Sequence, residues 1–264
     1  MIYIKEKKVI TTMAQAGMLL AEVFTMLHSV CIEGSSTLDI DTFISNQLQK
    51  RALVSMTKGY MGYNHVSCIS INDEVVHGVP NKHKKLCAGD LVKVDICASY
   101  NGYCADMARP FFVGSISKTD KRLSFVNTAR VALNKGIGMA IPGNRLTDIS
   151  AAIQQEIESA GYNVVRDFAG HGIGRRMHED PEILNYGKPG CGPLLKEGMV
   201  FALEPMLTMG NYDVYIADDG WTAKTVDGSL AMHIEDTVAI THEGPRVLTN
   251  YNSDLDFNIN GEME

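Results

Sequence analysis

The 264-residue chain lacks the features that would mark it as secreted, membrane-spanning or built to coat nucleic acid. It has no basic excess: 24 Lys and Arg stand against 31 Asp and Glu, a formal net charge of −7. Proteins that work mainly on phosphate backbones show the opposite balance. No CxxC spacing occurs among Cys31, Cys68, Cys87, Cys97, Cys104 and Cys191, so reduced thiols in a cytosol are expected. The opening MIYIKEKKVI has no signal-peptide apolar run, and no window reaches the eighteen or so uninterrupted apolar residues of a membrane span. A cytoplasmic protein without a membrane or nucleic-acid partner is expected. What the chain does have is 45% hydrophobic residues, enough to bury a large core as one big domain or two fused halves.

Apolar residues recur at helical spacing from Val9 to about Val30, and a second helix follows EGSSTLDI with Ser36 or Thr37 as its N-cap. After residue 65 the pattern changes to VSCISIN, LVKVDICASY and GYCADMARPFFVG, rich in β-branched and aromatic residues. Asn101-Gly102 makes the last two a hairpin. The order then restarts. One helix begins at Ser117 and is stopped by Pro142-Gly143, another ends at Gly161, and strands follow at MVFALEPML and SLAMHIEDTVAIT. A shift of 109 residues lays Gly34, Asp39, Ile40 and Ile44 onto Gly143, Asp148, Ile149 and Ile153. The expected architecture is α+β: one domain over residues 1–251, made of two duplicated halves (about 9–115 and 117–250). Helices would cover one face of a curved, mainly antiparallel sheet, and residues 252–264 would form an acidic C-terminal tail.

Acids stand where apolar strand residues are expected. Asp95 lies in LVKVDICASY and Asp106 in GYCADMARPF. A two-residue turn at Asn101-Gly102 puts Cys97 opposite Asp106, and alternation puts Asp95 on the same face, so the two carboxylates are diagonal neighbours. Like charges that close repel unless a cation lies between them. The plain alternative is that one of them bonds backbone or pairs with Arg109. Glu204 in MVFALEPM and Glu235 in AMHIEDTVAI repeat the oddity, and Glu204 lies the same 109 residues beyond Asp95. Four converging carboxylates and an imidazole suit two divalent ions such as Mn, Fe, Co or Zn. The imidazole is expected from GHGIGRRMHEDP, where Gly170, Gly172 and Gly174 disfavour a helix and predict a glycine-rich loop holding His171, with His178 beyond it.

The motifs SINDEVVHGVP, DLVKVDICASYNGYCADM, GHGIGRRMHEDP, MVFALEPM and IEDTVAIT together resemble the bacterial type I methionine aminopeptidases, in order and spacing over almost the whole chain. The resemblance implies the pita-bread (creatinase/aminopeptidase) fold, two pseudo-symmetric halves around a dinuclear centre of Co, Mn, Fe, Zn or Ni. It implies Asp95, Asp106, His171, Glu204 and Glu235 as metal ligands, with Asp106 and Glu235 bridging. His77 and His178 become substrate contacts and Glu204 also the proton shuttle, so that His77, His178 and Glu204 form the catalytic set. Tyr60, Tyr63, Cys68 and Trp221, bordered by Phe168, become the methionine pocket.

The implied reaction is metal-dependent removal of the first methionine from nascent proteins and peptides, favouring a small second residue. The implied partners are nascent polypeptide N-termini at the ribosome, and the implied state is a monomer. On spacing alone His77 reads more readily as a loop residue, Trp221 as core, Tyr60 and Tyr63 as a surface aromatic turn, and Cys68 as a packing thiol. Met107, Met177 and Asp236 depart from the residues usual in the family at those positions. Two rivals stand beside this reading. X-Pro aminopeptidases and prolidases use similar ligands but carry an extra N-terminal domain, and a metal-free binding protein of the same fold would have lost catalysis.

Overall fold

In chain order the computed structural model, which describes residues 1–250, runs α1 (Lys7–Leu27), α2 (Thr37–Lys50), β1 (Val54–Ser55), β2 (Cys68–Ile71), β3 (Glu74–Val76), β4 (Leu91–Tyr100), β5 (Tyr103–Phe112), α3 (Lys121–Met139) and α4 (Leu146–Ser159). It continues through β6 (Asn163–Val164), β7 (Ala169–Gly172), β8 (Glu179–Leu184), β9 (Val200–Leu203), β10 (Met206–Thr208), β11 (Val214–Ile216), β12 (Ala223–Thr225), β13 (Ala231–His233), β14 (Glu235–Thr241) and β15 (Gly244–Val247). The expected acidic tail lies outside the described residues.

Asn101 and Gly102 carry φ of 50° and 77°, the positive values a two-residue hairpin turn needs. The register follows: Tyr100 pairs with Tyr103, Cys97 with Asp106 and Asp95 with Ala108. Alternation then sorts the hairpin into two faces. Val92, Val94, Ile96 and Ala98 are fully buried with Ala105, Met107 and Phe111 in a core shared with Leu20, Phe24, Ile40 and Ile44 of α1 and α2. Burial of this kind contributes about 1.5–3 kcal/mol per large side chain, which holds the helices down. The opposite face carries Asp95, Cys97 and Asp106. A second core joins α3 and α4 to Phe201, Leu203, Val238 and Ile240.

The helices begin where local chemistry directs. Ser36 caps α2 in a reciprocal box: its hydroxyl accepts from Asp39 N at 3.1 Å and its own N–H donates to Asp39 Oδ2 at 3.0 Å. The helix expected from Ser117 starts later, because Asp120 accepts from Arg122 N at 2.8 Å and is the better cap. By length and composition α1 could cross a membrane, but Met13, Leu20, Phe24 and Leu27 are fully buried in this fold, as in a core helix.

All strand pairings are antiparallel among the described residues. A nine-stranded sheet follows the path β1-β4-β5-β14-β9-β7-β8, with β2 on β4 and β15 on β14; β13-β10-β6 and β11-β12-β3 form two small sheets. The two long strands expected at MVFALEPML and SLAMHIEDTVAIT are each broken. Glu204 and Pro205 separate β9 from β10, and Ile234 separates β13 from β14. Pro205 has no N–H for the ladder, so the chain changes sheets there. The register survives the break: Leu203 pairs with Asp236 and Met206 with His233, which sets Glu204 opposite Glu235.

A second correction concerns GHGIG. His171 sits in strand β7, paired with β8 and β9, and not in a glycine loop. The glycines serve close approach: a Cβ on Gly170 would stand 2.4 Å from Ala202 O, and one on Gly172 2.0 Å from Asp180 O. Neither has positive φ.

Candidate metal centre and aromatic-walled pocket

A cleft of about 640 Å³ opens over the acid-bearing face of the sheet, and every residue expected at the site lines it. On the floor, donor atoms of Asp106, His171 and Glu235 fall within 4.8 Å of one another. His171 Nε2 lies 3.4 Å from Glu204 Oε1 and 3.9 Å from Asp106 Oδ2. Its Nδ1 is 3.0 Å from Gly172 O, a group that can only accept, so Nδ1 carries the proton and Nε2 turns a lone pair toward carboxylate oxygens. Asp95 joins the group from β4, its charge felt at Glu204 and Glu235.

Burial drives the electrostatics of the floor. Desolvation, then the charge of Asp106, raises Asp95 well above the carboxylate range. Glu204 and Glu235 are raised well above it too, by burial first and by the neighbouring acids second. Asp106 is pushed by burial to about 6, held from rising further by the Cys97 thiol and the Met107 N–H. His171 is lowered to about 3 by burial and by the charge of His178. Four carboxylates cannot all ionise in such a place without a cation. Glu235 Oε1 is buried with no hydrogen-bond partner, and so is Nε2 of the neighbouring His233. Carboxylates, a neutral imidazole lone pair and orphaned donor atoms together fit divalent metal.

The two hairpins are tied beneath the cluster. Asp106 N donates to Thr237 Oγ1 at 2.8 Å, and that hydroxyl donates back to Asp106 O at 2.9 Å. Arg109 pairs with Asp236 at 2.6 Å, and Thr249 Oγ1 donates to the same oxygen, also at 2.6 Å. Of the plain alternative weighed from sequence, the backbone half holds for Asp106, whose Oδ1 accepts from Met107 N at 3.1 Å, while the Arg109 guanidinium pairs with Asp236. The unusual Asp236 belongs to this supporting pair. Met107 is fully buried among the residues under α1 and α2 and faces away from the acids.

The walls hold the remaining expected residues. His178 Nδ1 is 3.0 Å from the Tyr60 hydroxyl, and its ring stands edge-on to His171 at 4.5 Å between centroids. His77 has φ of 59°, a left-handed conformation that costs roughly 1–2 kcal/mol for a side chain of its kind. Its ring meets Phe168 edge-on at 5.4 Å, and burial, then the charge of His178, lowers it to about 4. Tyr63 meets Trp221 edge-on at 5.0 Å while its hydroxyl donates to Ser67 O at 3.0 Å. Cys68 pairs across the ladder with Asp95 and is buried. Tyr60 thus bonds a histidine in addition to lining the pocket.

Sequence reasoning missed Val76 and Met206, which line the same slot, and noted Met177 only as a departure although it lines the slot as well. It also missed Asp41, whose Oδ1 accepts from Val66 N and Ser67 N, both at 3.0 Å, and so fixes the loop leading to Cys68. An acid at a buried position of a helical pattern was its only signal. His233 gave a clearer one, an imidazole two positions before Glu235 in an apolar strand pattern.

Fold and floor define a metal-dependent hydrolase site held between two antiparallel hairpins. The family model described as metallopeptidase family M24 matches residues 11–242. A methionine aminopeptidase of Clostridium acetobutylicum is 47% identical over 249 residues, 94% of this chain and 99% of that one. The crystal structure of a Thermotoga maritima methionine aminopeptidase superposes with TM-score 0.91 at 43% identity, covering 95% of this chain and all of that one. A prolidase of Pyrococcus furiosus shares the fold at TM-score 0.74 and 24% identity, with 66% of its length covered. The chain belongs to metallopeptidase family M24, in the branch of the bacterial methionine aminopeptidases. Its fold is the pita-bread fold.

Proposed function

We propose that the protein removes the N-terminal methionine of newly made proteins and peptides, favouring a small second residue, and that two divalent ions are held by Asp95, Asp106, His171, Glu204 and Glu235. The observation that carries this reading is an apolar, aromatic-walled slot ending beside a buried carboxylate and imidazole cluster. When bound, the ions lower the pKa of a water and polarise the scissile carbonyl. Mn, Fe, Co, Zn and Ni all suit this mixed donor set, and supply in the cell decides among them.

The chain's own residues do the rest. Tyr63, Trp221, Phe168 and Cys68 take up the unbranched thioether side chain, with sulfur against aromatic edges. Glu204 takes the proton from the attacking water and passes it to the departing amine. With Tyr60 donating to Nδ1, His178 keeps its proton on Nε2 and presents it to the substrate carbonyl oxygen, where negative charge develops. His77 is held toward the scissile amide nitrogen by its strained backbone. Both histidines are lowered from their ordinary value by burial, so they work as neutral hydrogen-bonding groups near pH 7. The substrates would be nascent N-termini met in the cytoplasm, at the ribosome, by a monomer.

The test is methionine release from Met-Gly-Met-Met by protein stripped with chelator and refilled separately with Mn, Co, Fe, Zn or Ni. An N-acetylated peptide and an Xaa-Pro dipeptide serve as controls. Release that requires both metal and a free amino terminus is expected. Cleavage of the Xaa-Pro substrate alone, or no cleavage by folded, metal-loaded protein, overturns the reading.

A further inference from the structure

Glu204 presents its two carboxylate oxygens to two different imidazoles. Oε1 faces His171 Nε2 at 3.4 Å, and Oε2 faces His233 Nε2 at 3.5 Å. His233 Nε2 also lies 3.9 Å from Glu235 Oε2. The residue is 2% exposed, and this nitrogen has no hydrogen-bond partner although acceptor oxygens surround it. Leaving a buried polar atom unpaired costs about 1–3 kcal/mol, so something absent from the protein itself should satisfy it. Donors bound about 2.1 Å from one ion stand roughly 3.0–3.4 Å apart. The His233 spacings need to close by only a few tenths of an ångström to meet that figure.

The placement follows from the fold. His233 ends β13, opposite Met206, and Glu235 begins β14, with the strand break at Ile234 between them. No other side chain stands between His233 Nε2 and the two glutamates at hydrogen-bonding distance among the described residues.

We propose that His233 is a sixth donor to the metal centre, a second imidazole that reaches it beside Glu204 and Glu235. This rests on the reading of the site as dinuclear. The ligand is a divalent ion of borderline softness, and a second imidazole biases that position toward Zn, Co, Ni or Fe and away from Mn, which prefers all-oxygen surroundings.

The experiment reads metal binding and not peptide cleavage. Chelator-stripped wild type and His233→Gln are titrated with Co, followed by calorimetry and visible absorption, and the Zn-loaded forms are examined by X-ray absorption. Wild type is expected to show about one imidazole per metal averaged over two ions, and His233→Gln about half of that with one ion bound at least tenfold more weakly. Circular dichroism and the melting temperature of the metal-free variant establish that it folds. Should the variant not fold, proton NMR of Co-loaded wild type counts the hyperfine-shifted imidazole N–H signals: two support the assignment and one overturns it. An unchanged imidazole count with both affinities within about twofold of wild type also overturns it. Methionine release with a single metal-bound imidazole would sink this inference and leave the proposed activity standing; failure to bind metal at all would sink both.

Discussion

The two acid-bearing hairpins reach the same cleft by different means. The first, β4 and β5, is continuous, and its own two-residue turn and ladder fix where Asp95 and Asp106 point. The second is interrupted at the level of its acids, so Glu204 and Glu235 stand outside or at the end of regular ladder. There the backbone is held by side chains from elsewhere: Asn185 Nδ2 donates to Glu204 O, and Arg109 Nη1, from the first hairpin, donates to Glu235 O. The first hairpin takes its register from its own turn and ladder, with Thr237 of β14 bonded to Asp106, whereas the second has no unbroken ladder at its acids and takes the Arg109 donor from the first. Residues 209–230, which connect β10 to β13, carry β12, which pairs with β3, and Trp221, which meets Tyr63.

The largest effect should come from cutting that dependence. Arg109→Ala strands the Asp236 carboxylate in a buried position, which costs about 3–5 kcal/mol, and it removes a donor to Glu235 O. Denaturant unfolding should show this loss together with weakened metal binding. A loss below about 1 kcal/mol would mean the second hairpin supports itself.

Metal removal should act next. Chelation at neutral pH should lower stability by about 3 kcal/mol for each ion lost if metal is present at roughly a hundred times its Kd. For a chain of this size that is about 5–10 °C in melting temperature. The sign of the pH dependence follows from the raised carboxylates. In the metal-free fold their protonated form is favoured, so their contribution is greatest below the unfolded pKa and is lost as pH rises through the folded values, about 6 for Asp106. Protons also compete with metal for the same oxygens in acid. The gap between loaded and stripped protein should therefore shrink from pH 7 to pH 5, as read by calorimetry; a gap that widens in acid would contradict the buried-acid account.

The smallest effect should fall on the continuous hairpin. Gly102→Ala keeps the turn but imposes φ of 77° on a residue with a Cβ, at a place where the nearest atom is the end of Arg175, 3.8 Å away. About 1 kcal/mol should be lost in thermal unfolding, with metal affinity unchanged. A change in metal affinity would show that the first hairpin also needs outside support.

Much of the site was legible before the structure. The hairpin register, the shared face of Asp95, Cys97 and Asp106, and the Ser36 cap all follow from residues within a few positions of one another. Glu204 and Glu235 stood out because carboxylates are rare among Phe, Ala, Leu and Ile in strand patterns. Their roles as a set came from the resemblance, since nothing in MVFALEPM says what lies across from it. The glycines of GHGIG were misread as a loop because a composition rule cannot tell a turn from a place where another backbone passes close by, as Ala202 O does at Gly170.

By itself, then, the sequence determined which faces are apolar, where the first hairpin turns and which acids are out of place. Those outcomes depend on period-two alternation, positive-φ turn chemistry and capping, all of them short-range effects. Only the tertiary structure decided that Arg109 serves Asp236, 127 residues away, that both second-hairpin strands break at their acids, and that His233 points its unpaired nitrogen at Glu204. Contacts at such separations are chosen by how packed layers meet, and a local pattern carries no record of its distant partner.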